Sequence, residues 1–382
     1  MILNNEQEKA VYDESRFIFL LAGAGSGKTR VIIERIKYLI QKGVLPNKIL
    51  GITFTNKAAD EMMHRLGDIG VEIHTFHGYC YQVLKHVKTF QIFEYNKEFN
   101  LEDILKISNY KNSLKTLSKP KMFDTYEKYL KVRDLLDFDD LMIQALPLIK
   151  KHRFEYIFID EFQDTNLLQF KLLSTMIHDK THVFAVGDPD QSIYAFRGAK
   201  VDLIRLYIKK YQAKMLMLNQ NYRSNKPIIK ASNELIKHNL NRFKKALVTE
   251  KESNIKPVIY IGDYEKLEQK IVEIIKIEKF HQAVILYRNH YMVRRLKQVL
   301  LRNYLFNVRL LTFHEAKGLE FDTVFILGLE GLPYDKEDIF SNEEEERRLL
   351  FVGLTRAKNH LYLFSTKKTK FIKQTKLDVL YI

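Results

Sequence analysis

The chain has 382 residues, 46% of them hydrophobic and 12% aromatic, with a formal net charge of +15. That length and apolar content exclude a disordered chain and predict two domains. No apolar run approaches the ~20 residues of a membrane span, and the cation excess favours a polyanionic partner, nucleic acid before an anionic membrane surface.

Residues 17–21 form an apolar run, followed by Ala22-Gly23-Ala24-Gly25-Ser26-Gly27-Lys28-Thr29 and then by Arg30 and a helically spaced stretch. Strand, glycine-rich turn and helix start together predict a phosphate loop. Its glycines let backbone N–H groups converge on phosphate oxygens at the positive end of the helix. Lys28 then reaches the β/γ-phosphates and the Thr29 hydroxyl ligates Mg²⁺, although Ala22 stands where the strict pattern has glycine. A strand is expected at 49–54, a helix at 56–66 and a short strand at 71–76. Cys80, the single cysteine, excludes an intramolecular disulfide and fits a reducing compartment such as the cytoplasm.

From 88 to 129 lysines recur at 106, 111, 115, 119, 121 and 128, apolar residues thin out, and Pro120 interrupts. The stretch reads as a small helical insertion with a basic surface. The α/β alternation resumes with a strand at 154–159, a helix at 167–177, a strand at 182–186 and a helix at 199–212. Lys214 to Leu218 then reads as the opening strand of a second unit, with further strands at 258–261, 283–286, 308–311, 324–327 and 361–363. Four glutamates at 343–346 start a helix, where negative charge suits the dipole, and the lysine-rich tail at 367–376 reads as loosely held. The fold class is α/β, two tandem lobes with parallel sheets. The expected division is 1–87 with 130–212 as the first lobe, 88–129 as the insertion and 213–382 as the second lobe.

The strand at 154–159 delivers Asp160 and Glu161. A carboxylate at a strand end, downstream of a phosphate loop, suits Mg²⁺ beside Thr29. Asp160 is the metal-side carboxylate, and Glu161 points differently, as a base for the attacking water would.

With these pieces in order, the chain resembles the UvrD/Rep/PcrA group of superfamily 1 DNA helicases nearly end to end. The matching runs are Leu3-Asn4 to Gln7; Thr53-Phe54-Thr55-Asn56-Lys57-Ala58-Ala59; Thr75-Phe76-His77-Gly78; and Asp137-Phe138-Asp139-Asp140-Leu141. They continue with Asp160-Glu161-Phe162-Gln163-Asp164; 187–199; Gln220-Asn221-Tyr222-Arg223-Ser224; 312–321; and 344–357. The resemblance implies two RecA-like lobes that bind ATP and Mg²⁺. It implies that Gln7 and Tyr222 hold the adenine with Arg30 nearby, that Glu320 takes the ribose, and that Gln191, Arg223 and Arg356 attend the γ-phosphate. It also implies a single-strand track of Phe54, Asn56, His77, Tyr194, Phe196, Arg197, Thr312 and His314. The group usually carries tryptophan where Phe196 stands, and this chain has no tryptophan.

The activity so implied is ATP-driven 3′→5′ translocation on single-stranded DNA with helicase action, in DNA repair or replication. The substrates would be single strands and single/double-strand junctions, with accessory repair or replication proteins as further partners and no membrane. The group's second large insertion is missing, because the chain from Leu286 to Val308 runs directly into the 312–321 match. Two other readings follow: an ATPase that remodels protein–DNA complexes or RNA without efficient unwinding, and a binding module that does not hydrolyse. Intact Lys28, Thr29, Asp160 and Glu161 oppose the last.

Overall fold

The computed structural model describes residues 3–95, 98–280, 282–332 and 342–382. They form two compact units. The first is Met1–Ala22, Gly27–Asp188 and Tyr194–Leu218; the second is Gly23–Ser26, Pro189–Ile193 and Asn219–Ile382.

In the first unit the strands are β1 Phe17–Ala22, β2 Ile49–Thr53, β3 Glu72–Thr75, β4 Gln91–Ile92, β5 Leu135–Leu136, β6 Tyr156–Ile159, β7 His182–Gly187 and β8 Lys214–Leu218. Six of them make one sheet in the order β3-β2-β6-β7-β1-β8. Every pairing in it is parallel. The central strands are apolar over nearly their whole length, as strands covered on both faces must be. Parallel register brings Ala22, Thr53, Thr75, Ile159 and Gly187 to the carboxyl edge of the sheet, where ligands of open α/β sheets bind.

Two expectations fail here. Lys214–Leu218 does not open the second unit; it is the sixth strand of the first sheet, pairing Phe19 with Met215 and Leu21 with Met217. The insertion is also larger and less basic than its lysines suggest. Helices Leu101–Asn112 and Phe123–Val132 are closed off by β4 and β5, so the folded element reaches Leu136. It has its own core of Phe93, Phe99, Ile107, Phe123, Tyr126 and Leu130. Lys111 is not on a basic surface: it is 2% exposed, donates hydrogen bonds to Asp137 and Asp140, and pairs by charge with Glu127.

The second unit carries β9 Val258–Ile261, β10 Ala283–Tyr287, β11 Arg309–Thr312, β12 Phe321–Leu327, β13 Ala357–Ser365 and β14 Asp378–Tyr381. They form a six-stranded sheet in the order β11-β10-β12-β13-β9-β14, again all parallel. The tail is not loosely held. Helix Lys370–Thr375 buries Phe371 and Ile372, Lys370 pairs with Glu343 at 2.7 Å, and the chain ends as edge strand β14. The glutamates do open helix Glu343–Leu354, behind the side-chain cap of Asn342.

Candidate nucleotide site and nucleic-acid face

The phosphate loop leaves β1 at Ala22 and enters helix Lys28–Gln41. Gly25 and Gly27 have φ of +65° and +81°, a left-handed conformation that glycine adopts without steric cost. Gly27 caps the helix without a side-chain hydrogen bond and no acidic residue lies in the first turn, so the positive end of the helix is suited to an anion. Gln7 is buried against this turn. Its Oε1 accepts from the Asn4 N–H, closing a capping box, and its Nε2 lies 2.9 Å from where a Cβ on Gly27 would stand.

The Lys28 ammonium donates to both carboxylate oxygens of Glu161, at 3.0 and 3.1 Å. Burial works against its charge, yet Glu161, Asp160 and Asp188 outweigh burial and hold Lys28 above its ordinary value. Asp160 follows β6 and is 8% exposed, and burial together with the adjacent Glu161 pushes its carboxyl well above the usual range. Thr29, next to Lys28 in the first helix turn, and Asp160 are oxygen donors of the kind Mg²⁺ takes, and a divalent cation would supply charge compensation for Asp160. The donor chemistry fits.

Glu161 has φ 51° and ψ 41°, a left-handed backbone at a residue that is not glycine. Gln163, wholly buried, holds this turn. Its Nε2 donates to Glu161 and to Asp164 Oδ2 at 3.1 Å, while its Oε1 accepts from the Asp188 N–H at 2.9 Å. A side chain at Gly187 would stand 2.8 Å from that oxygen. Gln163 thus positions Glu161 and ties it to the end of β7. It sits inside a recognised run, and its role came from contacts that no spacing encodes.

In the second unit the loop tip is held by residues 221–223. Asn221 Nδ2 donates to Ala24 O at 2.7 Å, and the Tyr222 N–H to Gly25 O at 2.9 Å. Arg223 Nε donates to Glu320 at 2.9 Å, and its Nη1 to Thr355 O. Burial opposes ionisation of Glu320, but Lys358 and Arg223 hold it down at about 2. Arg356 is 1% exposed; it donates to Gln191 Oε1 at 3.0 Å and to Leu319 O and Val352 O. Asp190, beside Gln191, binds Arg242 at 2.8 Å and Lys245 at 3.3 Å. Asn221, Asp190, Arg242 and Lys245 were not singled out from the sequence.

Four of the residues expected to line a single-strand track come together in the first unit. Phe54 and Tyr194 stack with centroids 4.9 Å apart, Phe196 lies 5.9 Å from Tyr194, and the Arg197 guanidinium sits 5.5 Å over both Tyr194 and Phe196. Beside the sheet edge a cleft of about 350 Å³ is lined by Asn56, His77 and Phe138 among others. Burial and the Arg197 charge hold His77 down at about 4, so it is neutral at pH 7 and available for hydrogen bonding. In the second unit Thr312 exchanges hydrogen bonds with Glu315, and His314 Nε2 donates to Ile193 O at 3.2 Å. Arg30 lies on the first turn of helix Lys28–Gln41.

A phosphate loop, two strand-end carboxylates and two all-parallel sheets define a tandem α/β P-loop protein. A family model described as an AAA domain matches residues 7–197, and one described as a UvrD-like helicase C-terminal domain matches 216–307 and 306–368. Among relatives, the ATP-dependent DNA helicase PcrA of Staphylococcus epidermidis is 34% identical over 362 residues, covering 79% of this chain and 50% of the relative. A probable DNA helicase II homolog of Mycoplasma capricolum is 35% identical over 352 residues, covering 75% and 49%. A probable DNA helicase of Mycoplasma pneumoniae is 32% identical over 449 positions, covering 97% of this chain and 84% of the relative. This chain belongs to the UvrD-like helicase family, and it spans about half the length of the first two relatives.

Proposed function

We propose that the protein is an ATP-hydrolysing motor that moves 3′→5′ along single-stranded DNA and separates strands at junctions. The observation that carries the reading is the Lys28–Glu161–Gln163 arrangement at the same sheet edge as the Phe54–Tyr194–Arg197 stack. An ammonium has three donors, so Lys28 can hold Glu161 and still donate to a phosphate. Glu161 then accepts a proton from the water that attacks the γ-phosphorus. Thr29 and Asp160 would hold Mg²⁺, which supplies charge stabilisation as the phosphoryl group transfers to water. The hydrogen bonds from residues 221–222 to the loop tip support assigning Tyr222 and Arg223 to nucleotide, alongside Gln191, Arg356 and Glu320.

For the track, half-buried aromatics with a guanidinium over their faces suit bases without sequence preference. Asn56, His77, Thr312 and His314 would add polar contacts. The partners are single strands and junctions, with accessory repair or replication proteins. No helix among the described residues is long and apolar enough to cross a membrane, and we place the protein in the cytoplasm.

The test is ATP hydrolysis with and without single-stranded DNA, then unwinding of 3′-tailed, 5′-tailed and blunt duplexes. Strong stimulation and release from the 3′-tailed duplex is the expected result. A second reading, remodelling without productive unwinding, is favoured by one observation. The Mycoplasma pneumoniae alignment spans 449 positions, more than this chain's 382 residues, so the relative carries stretches that this chain lacks. Stimulated hydrolysis with no strand released from any duplex would establish that reading and overturn the helicase.

A further inference from the structure

We infer that the turn at residues 304–307 of the second unit is a docking surface for single-stranded nucleic acid, apart from the motif residues described above. The inference rests on the nucleic-acid reading of the chain. Helix Arg294–Arg302 ends just before this turn, and Tyr304 takes φ 58°. Leu305 packs inward on the core of the second unit, which leaves the flanking rings outward. Tyr304 is 81% exposed and Phe306 66%, with centroids 6.1 Å apart at an interplanar angle of 77°. Two large rings standing in water within three residues form a surface that a base could stack on.

The charges around the rings point to the occupant. Arg302 and Arg309 flank them in sequence and are exposed, and the exposed Lys276 reaches Asn303 Oδ1 at 2.8 Å. None of these three cations forms an ion pair among the described residues, whereas nearby Lys270 pairs with Glu273 and Arg295 with Glu268. Protein–protein interfaces are enriched in tyrosine, phenylalanine and arginine but depleted in charge at their core, so it is the unpaired positive charge, and not the rings, that selects a polyanion. Exposed rings flanked in sequence by cations without ion pairs suit a single-strand platform, although the Arg309 guanidinium itself lies 5.4 Å over Phe321.

The turn is one strand away from the proposed track: β11, at the sheet edge, runs from Arg309 to Thr312, roughly 10 Å at ~3.3 Å per residue, with the turn before its amino end and Thr312 at its carboxyl end. The family model also breaks here, its two matched runs meeting at residues 306–307. The exposed rings therefore sit at the point where the family pattern is discontinuous in this chain.

A single-stranded oligodeoxynucleotide bearing 5-iodouracil would be photocrosslinked to the full chain and the adducts mapped by mass spectrometry. Anisotropy titrations would compare the wild type with the Tyr304→Ala/Phe306→Ala variant. Adducts on Tyr304 or Phe306 are expected, with affinity weakened roughly fivefold or more in the variant, as loss of one stacked base implies. Adducts confined to Phe54, Tyr194 or Phe196 with unchanged affinity would overturn the inference and leave the proposed function standing. Adducts at neither place would overturn both. A wild type that self-associates in sedimentation, with a monomeric variant of unchanged DNA affinity, would make the turn a contact between copies and overturn the inference.

Discussion

Replacing Lys111 by methionine should destabilise the first unit severely, and more at pH 8 than at pH 5. The side chain is 1% exposed, and its ammonium lies 2.7 Å from Glu127, 2.8 Å from Asp137 and 2.8 Å from Asp140. Asp137 and Asp140 also form the capping box of helix Phe138–Ile149, so Lys111 joins the insertion to that helix. Methionine preserves the volume and removes the charge, leaving carboxylates gathered round an apolar group. Removing one partner of a buried ion pair costs about 3–5 kcal/mol, or about 6–20 °C for a unit of ~200 residues.

The pH dependence follows from the carboxyls. Burial and the Asp137 charge push Asp139 up to about 7 and Asp140 up to about 6. A carboxyl whose folded value is raised contributes stability at low pH and loses it as pH rises through that value. Burial opposes the Lys111 charge, but Asp137 and Asp140 hold the ammonium above its ordinary value, so its contribution spans the neutral range. Without the ammonium the carboxyls rise further, and at pH 5 they can take up protons and relieve the repulsion. Melting curves of both proteins at pH 5 and pH 8, followed by near-ultraviolet circular dichroism, read this difference. An equal loss at the two pH values, or one below about 1 kcal/mol as for an exposed lysine, would refute the reasoning.

Glu161→Gln should retain ATP binding and lower kcat by about 10²–10⁴, the usual contribution of a general base; turnover at the parent rate would remove Glu161 from the chemistry. Gln163→Ala should lower kcat with KM nearly unchanged. It should also cost about 1–3 kcal/mol in chemical denaturation, because the Asp188 N–H loses a buried acceptor. Unchanged kcat in a folded variant would show that the Glu161 carboxylate needs no support. Gly25→Ala should abolish nucleotide binding by calorimetry, since the residue has φ +65° and a Cβ would stand 2.7 Å from Asn221 Nδ2 and 2.8 Å from Arg223 Cβ. Wild-type affinity would show that the tip rearranges freely.

The features legible in the sequence are those written in consecutive residues. Apolar runs gave most of the strands, though not β4, β5 or β14, glycine spacing gave the loop, and the strand ending at Ile159 placed the two carboxylates beside it. Lys214–Leu218 was misassigned because only its pairing with β1, some 196 residues earlier in register, decides which sheet it joins. Lys111 looked like its neighbours because its burial is set by Asp137 and Asp140, 26 and 29 residues on. The tail looked solvated because five lysines outweigh Phe371 and Ile372 in composition, although those two side chains decide its packing. Gln163 was quoted within a motif but given no role, since the Asp188 N–H that fixes it lies 25 residues away.

Two consecutive carboxylates can take different roles only if the backbone separates them. Strand β6 ends at Ile159, and Asp160 remains close enough to its own chain for its Oδ1 to accept the Glu161 N–H at 2.9 Å. The left-handed conformation at Glu161 then turns its carboxylate to Lys28, at a cost of about 1–3 kcal/mol for such a residue. Glycine there would relieve the strain and remove the base. Lys28 and Gln163 over-determine the strained turn from two sides, one through charge and the other through a fully buried amide tied to the end of β7. A carboxylate fixed in this way needs little reorganisation when a water must be deprotonated, which is how a preorganised polar site lowers a barrier. On the proposed role of Glu161 the strain belongs to the catalytic geometry, and Gln163 is the residue through which that proposal can be tested without touching the carboxylate itself.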